Sequence, residues 1–456
     1  MLTRLRLRNF RSWGDTGNLQ LAPLTAFFGT NSSGKTSLLQ SLVLLKQTAE
    51  ASDRRLVFHY GGNGSAVDFG DFRSLAKRSG PLAVGLDWES PEKAQVWHWR
   101  DDQRHVVAES RDLGFAVRVG RDNARSKEAD SAAVVREFKY HVGEASFGLR
   151  RMQGAYEVSL SGVEDFLTQR RGRPFVISAP VKCYGFPAEA RAQYTNADFM
   201  GELERELEEQ LDRVRYLGPL RARPDRRYIW SGTEPDDMGV SGENVVAALL
   251  ASRAWGRFIR HDPRPRYWRR RLEQQVAACL QQMGLIQEFK VVELGQGAGV
   301  FAVHVRQSAK SPWTPLPDVG FGVSQILPVL VLCYYVPEGA TVVLEQPELH
   351  LHPSAQAALG DVLLDAARIR KIQILLESHS EHLLLRLQRR IAEESVKPDQ
   401  IALYFCDIRD GDSTATRLVL DEYGTISNWP EQFFGDSFGE VAERTLAIQR
   451  RRTQPT

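Results

Sequence analysis

Apolar and basic residues alternate at period two through Leu2-Thr3-Arg4-Leu5-Arg6-Leu7-Arg8-Asn9-Phe10, which predicts a half-buried strand at the head of the chain. A second short strand is expected near Leu19 to Leu21 and a third over the apolar run Leu24 to Phe28, followed by a helix from Lys35 to about Thr48. From about Pro81 to Leu160 the pattern changes to short alternating segments such as Leu82 to Leu86 and Tyr156 to Leu160, set between charged turns, and reads as a β-rich insertion. Within it Arg121 to Asp130 has no apolar residue larger than alanine and reads as a mobile loop. Leu203, Leu207, Leu211 and Val214 fall on one face of a helix predicted over Gly201 to Tyr216. Further on come a helix at Ile326 to Tyr335 and two apolar strands, Ala340 to Leu344 and Lys371 to Leu376, each ending in polar residues. Neither a long heptad array nor a solenoid repeat interrupts this order.

Composition narrows the setting. The 456 residues suffice for one large or several ordinary domains, and a formal charge of +2 argues against a general polyanion binder while leaving local patches open. Cys183, Cys279, Cys333 and Cys406 lie far apart without CxxC spacing, as expected of buried thiols in a reducing compartment. The arginine-interrupted N-terminus lacks the apolar core of a signal peptide, and the longest apolar stretch, Ile326 to Val336, is too short to span a bilayer. These features predict a cytoplasmic protein with no membrane partner.

The chemistry begins at Gly29-Thr30-Asn31-Ser32-Ser33-Gly34-Lys35-Thr36-Ser37, a GxxxxGK[ST] loop between a predicted strand and a predicted helix. Glycines let backbone N–H groups wrap a polyphosphate where a side chain would block the approach. Lys35 is positioned for the β- and γ-phosphates of ATP, Thr36 for Mg²⁺, and the helix start adds its positive dipole end.

Three further elements follow in order. Asp318-Val319-Gly320-Phe321-Gly322-Val323-Ser324-Gln325 is a glycine-rich turn opening a helix, whose free N–H groups suit a second phosphate surface. The strand before Glu345-Gln346-Pro347-Glu348 projects carboxylates where Mg²⁺ must be ordered. The strand before Glu377-Ser378-His379 ends in a polar cluster with a histidine. His350 and His352 form an HxH pair without a third ligand nearby, which weighs against a metal site. Arg253 to Arg271 carries eight arginines against Asp262 and is interleaved with Trp255, Phe258, Tyr267 and Trp268. It suits DNA or RNA as a phosphate-pairing, base-stacking surface, or equally a solvated face with its aromatics turned inward.

Taken together, "LRLRNFRSW", the phosphate loop, "VRYLGPLRARPDRRY", "DVGFGVSQILPVL", "EQPELHLHP" and "NWPEQFF" at Asn428 to Phe434 resemble an SMC/RecF-like ATPase of the ABC superfamily, and more narrowly a bacterial AAA-type ATPase family of unknown function. The resemblance implies an α/β ABC-type P-loop head with a mixed central sheet, an antiparallel β-rich insertion and no long coiled-coil arm. It places core segments at 1–80 and 301–410, the insertion at 81–200, a helical, arginine-rich segment at 201–300 and a C-terminal segment at 411–456. It implies that Gly320, Gly322, Ser324 and Gln325 close over the γ-phosphate held by a second copy in a homodimer, that His379 senses that phosphate and that Arg11 lies along the nucleotide. The superfamily usually ends its acid strand in Asp-Glu, one ordering Mg²⁺ and the other activating water. Here Glu345 stands for the first, with Thr36, and Gln346 for the second. A glutamine amide is no general base at neutral pH, so either Gln346 only orients water or Glu348 is recruited, and hydrolysis is expected to be slow or partner-dependent. The functional expectation is an ATP-driven dimerisation switch in a DNA-related process such as anti-phage defence or repair. The alternative is an ATP-dependent scaffold that controls a separate effector protein without binding nucleic acid itself.

Overall fold

The computed structural model describes residues 1–100, 103–121, 133–172, 174–260 and 269–430. In chain order, β1 (Leu2–Phe10), β2 (Trp13–Asp15), β3 (Leu19–Gln20) and β4 (Leu24–Gly29) lead to α1 (Lys35–Glu50) and a short α2 (Phe72–Leu75). A five-stranded antiparallel meander follows: β5 (Leu82–Arg100), β6 (Gln103–Arg121), β7 (Ala133–Val142), β8 (Ala145–Met152) and β9 (Ala155–Ser161). Next come α3 (Ala188–Gln193), α4 (Asp198–Asp212), β10 (Val214–Leu217), β11 (Tyr228–Ile229), α5 (Val245–Ala254), β12 (Phe258–Arg260), β13 (Arg269–Arg271) and α6 (Leu272–Gln282). The described chain closes with β14 (Glu288–Glu293), β15 (Val300–Arg306), β16 (Thr314–Pro315), α7 (Phe321–Tyr335), β17 (Thr341–Glu345), α8 (Pro353–Arg370), β18 (Gln373–Glu377), α9 (Glu381–Ala392), β19 (Ile401–Arg409) and β20 (Asp412–Leu418).

One sheet carries the architecture, in the order β10-β17-β18-β4-β19-β20-β2-β1-β5-β6-β7-β8-β9 with β3 beside β1. Its first five strands are parallel and the meander is antiparallel, so the sheet is mixed. The parallel strands β4, β17 and β18 are mostly apolar because both their faces are covered. Phe27, Val343 and Leu375 enter one core cluster, with α1, α4 and the meander. Their neighbours Ala26, Phe28, Leu344 and Leu376 enter the other, with α5 to α9. In β1 the alternation works as read: Leu2, Leu5, Leu7 and Phe10 are buried while Arg4, Arg6 and Arg8 face water. All four cysteines are buried free thiols. No described helix is long and apolar enough to cross a membrane, and none forms a coiled-coil arm.

Two segments depart from the sequence expectation. The helix predicted over 201–216 ends at Asp212, and Val214 to Tyr216 belong to β10, paired with Thr341 to Val343 of β17. Leu203, Leu207 and Leu211 are buried as expected, each contributing roughly 1.5–3 kcal/mol. Val214, though it continues the helical spacing, is instead taken by the edge of the parallel sheet, where β-branched and aromatic side chains pack well. The segment read as helical and arginine-rich also supplies β14, which joins β11, β15 and β16 in a second, four-stranded sheet. The loop predicted at Arg121 to Asp130 lies, apart from Arg121, outside the described residues, as does the NWPEQFF motif beyond Pro430.

Candidate functional site

The C-terminal ends of β10, β17, β18 and β4 stand side by side, so Leu217, Glu345, Glu377 and Gly29 mark one edge of the parallel core. Crevices at such edges are where α/β sheets receive nucleotides. The loop Gly29 to Thr36 rises from β4 there and turns into α1. Gly29 has φ +140°, and a side chain on it would run into the Cys406 carbonyl; Gly34, at φ +88°, is walled by Ser12, Trp13 and Ser413. Both positions therefore require glycine. Asn31 and Ser32 face water, Ser32 at φ +61°, whereas Ser33 is buried and Ser37 lies half-buried in the first turn of α1.

Lys35 folds over the loop, its Nζ donating to the carbonyls of Gly29 (3.2 Å) and Thr30 (2.7 Å) and to Ser33 Oγ (3.4 Å). Burial lowers its pKa, opposed by the charges of Glu377, Cys406 and Glu348. Thr36 Oγ1 donates to Glu377 Oε2 at 2.7 Å. Glu345 is buried and accepts from Tyr216 Oη (2.7 Å) and Gln40 Nε2 (2.9 Å). Burial, reinforced by Glu377, raises its pKa to about 7, although its hydrogen bonds oppose the shift. Glu348 Oε1 accepts from Ser378 Oγ (2.8 Å) and the His379 N–H (2.7 Å). Burial also raises the pKa values of Glu348 and Glu377.

Glu345, Glu348, Glu377, His379, Lys35 and Thr36 are thus brought together. His379 stands at the solvent-facing lip, where desolvation and then the Lys35 charge lower its pKa. Gln346 follows β17 in a left-handed conformation, φ +45°, uncommon for a residue other than glycine. Its N–H donates to the Glu377 carbonyl at 3.0 Å. The remaining candidates lie apart from this group. Arg11 places its guanidinium 5.4 Å from the Phe69 ring centroid, and it is the next two residues that touch the loop. Trp13, fully buried, donates from Nε1 to the Gly34 carbonyl at 3.1 Å. Gly320 is the N-cap of α7 with open space around it, Phe321 is 63% exposed, and Gly322 packs near the backbone of His350. Ser324 is buried and donates back to the Phe321 carbonyl (2.9 Å), while Gln325 is half-buried. Arg226 pins the approach to this turn through both oxygens of Asp318, at 2.9 and 2.6 Å.

Hard oxygen donors at Thr36, Glu377 and Glu345 fit Mg²⁺. Among the described residues no group of three His, Cys, Asp or Glu could hold a metal ion by itself. Glu377 joins Glu345 as an oxygen donor, and both carry the same signal in the sequence, a largely apolar strand that ends in a carboxylate. His352 caps α8, Nδ1 accepting from the Ser354 N–H at 3.4 Å, and His350 lies 6.1 Å from Phe321 ring to ring. In the arginine-rich segment residues 261–268 lie outside the described residues. Of the others, Arg253 is bound to Glu273 (3.1 Å), Arg257 to Glu234 and Arg270 to Gln275 (2.9 Å).

Comparison with known proteins places family resemblances along most of the chain. Residues 1–94 match the AAA ATPase domain. Residues 186–386 match the family described as "AAA domain, putative AbiEii toxin, Type IV TA system". Residues 396–443 match a protein family of unknown function, DUF3696. No curated protein matches the chain. Among solved structures, the SMC head domain from Thermotoga maritima is 10% identical, with 92% of this chain and 99% of that one covered at a TM-score of 0.41. The Smc head domain with an extended coiled coil bound to the C-terminal domain of ScpA, derived from Pyrococcus furiosus, is 9% identical, with 98% and 99% covered at a TM-score of 0.46. One AAA-family match holds the phosphate loop and the other holds the turn of α7, the acid strand and the histidine strand, so both parts of the candidate site fall within segments similar to AAA-type ATPase domains.

Proposed function

We propose that the chain is an ATP-driven dimerisation switch with slow turnover, serving a DNA-related process such as anti-phage defence or repair. The observation that carries the reading is the open start of α7. Its N–H groups have no side-chain cap, Gly320 has no neighbour that a Cβ would meet, and the turn packs on His350 and Leu351. An uncapped helix N-terminus in the open is a surface for an anion, here the γ-phosphate of ATP bound by a second copy. Gly320→Asp tests this without disturbing the monomer, since a carboxylate at the N-cap favours the helix while repelling phosphate. Sedimentation with a slowly hydrolysed ATP analogue is expected to show a dimer for the wild type and a monomer for Gly320→Asp. An unchanged mass in the wild type, or equal dimerisation of both, removes the reading.

For nucleic acid, support comes from the meander rather than from Arg253 to Arg271. Arg118, Glu137 and Arg150 lie in register across β6, β7 and β8. That one carboxylate serves Lys139 at 3.1 Å, Arg118 at 3.8 Å and Arg150 at 3.9 Å. Arg121, Arg136 and Arg151 complete the lining of a cleft of about 570 Å³, so positive charge is in excess there. The family description naming a toxin–antitoxin system accords with a defence setting. If DNA runs along this cleft, affinity falls with salt, and the Arg118→Ala, Arg150→Ala double variant lowers the log–log slope by about two, regardless of sequence. Fluorescence anisotropy over a salt series measures it, and an unchanged slope excludes the cleft.

A further inference from the structure

The loop after β10 carries a buried cation that the site described so far leaves largely unused. Arg221 is 9% exposed. Its Nη2 donates to the backbone oxygen of Glu345 at 3.1 Å, while Nε and Nη1 have no hydrogen-bond partner. No ion pair engages it among the described residues, although the carboxylates of Glu345 and Glu348 face it from farther off and raise its pKa against the larger effect of burial. Glu348 Oε2 is likewise buried without a partner. A guanidinium withdrawn from water with two of its three nitrogens unsatisfied is unfavourable, and such a group is normally completed by an anion.

The sheet indicates which anion. By bonding the Glu345 carbonyl, Arg221 reaches over the end of β17, two strand spacings or roughly 10 Å from β4 and its phosphate loop. Thr36, next to Lys35, bonds Glu377 at the end of β18, the strand between β4 and β17, so this end of the loop faces the same side. Loop N–H groups of this kind cradle the inner phosphates, which leaves the terminal phosphate for cations beyond the loop's backbone. We infer that Arg221 binds the γ-phosphate of ATP held by its own chain and makes the site discriminate ATP from ADP. The inference rests on the reading of Gly29 to Thr36 as the nucleotide loop. A planar fork can keep the Glu345 carbonyl on one nitrogen and offer the others to two phosphate oxygens, which a lysine cannot do.

The test compares affinities for Mg²⁺ with ADP and with a slowly hydrolysed ATP analogue in wild type, Arg221→Gln and Arg221→Lys. Arg221→Gln is expected to weaken the analogue roughly 10- to 100-fold while ADP stays within about twofold, and Arg221→Lys to fall between. A purely structural role would weaken both nucleotides alike, and that result, or an unchanged preference in both variants, overturns the inference. Should Arg221→Gln fail to fold, Arg221→Lys keeps the buried charge and decides the question alone. Wild-type protein that bound neither nucleotide would overturn the loop reading, and this inference with it. Intact ADP binding with an unaltered ATP preference in the variants would overturn the role of Arg221 only.

Discussion

Replacement of Lys35 by alanine is expected to weaken binding of ATP with Mg²⁺ by at least about 100-fold, or ~3 kcal/mol. The size follows from the company Lys35 keeps. Glu345, Glu348 and Glu377 are all buried at the same edge of the sheet, and a polyphosphate arriving there meets their charge as well as its own. Lys35 is the loop's own cation, already turned onto the Gly29 and Thr30 carbonyls, so it needs only a small reorientation to pair with phosphate. The hydrogen bonds of its ammonium stay within the loop, so the variant should melt close to the wild type. A titration with a fluorescent ATP analogue measures the loss. Identical curves for the two proteins would refute the nucleotide assignment.

What could be read in advance was what is local in sequence. The alternation of β1, the apolar runs of β4, β17 and β18, and the loop between β4 and α1 each state their structure within about ten residues, because burial of both faces of a parallel strand leaves little room for polar positions. The site's remaining partners are remote. Thr36 and Glu377 are separated by 341 positions, Arg221 and Glu345 by 124, and no periodicity within either segment announces the contact. Trp13 was hidden for the same reason, since its Nε1 meets the Gly34 carbonyl only once β2 has turned back along β1. Val214 misled because a helix face and an edge strand both accept a valine, and pairing with Thr341 decides between them. The arginine-rich segment was conspicuous in composition, yet Glu273 and Glu234, the partners of Arg253 and Arg257, lie elsewhere in the chain. Counting charges within one window cannot see that these two of its eight arginines are paired outside it. In the meander the converse holds, because arginines from separate strands converge on a single glutamate.

Gln346→Glu is expected to raise ATP turnover by a factor of about 10², the range in which a positioned general base acts. Gln346 ends the acid strand with its backbone fixed by the left-handed conformation and by the bond from its N–H to Glu377. Its side-chain amide makes no hydrogen bond to a described residue, so the position is free to address water, yet an amide cannot take the proton that water must lose. A carboxylate there would. The base form of such a carboxylate accumulates as pH rises. The gain should therefore grow as pH rises from the acid side. Glu348→Gln is expected to leave turnover nearly unchanged, because a glutamine keeps the oxygen that accepts from Ser378 and His379. Phosphate release at saturating ATP distinguishes the two variants. Loss of activity in Glu348→Gln with no gain in Gln346→Glu would assign the water to Glu348 instead, and would make the cap on the histidine strand part of the chemistry.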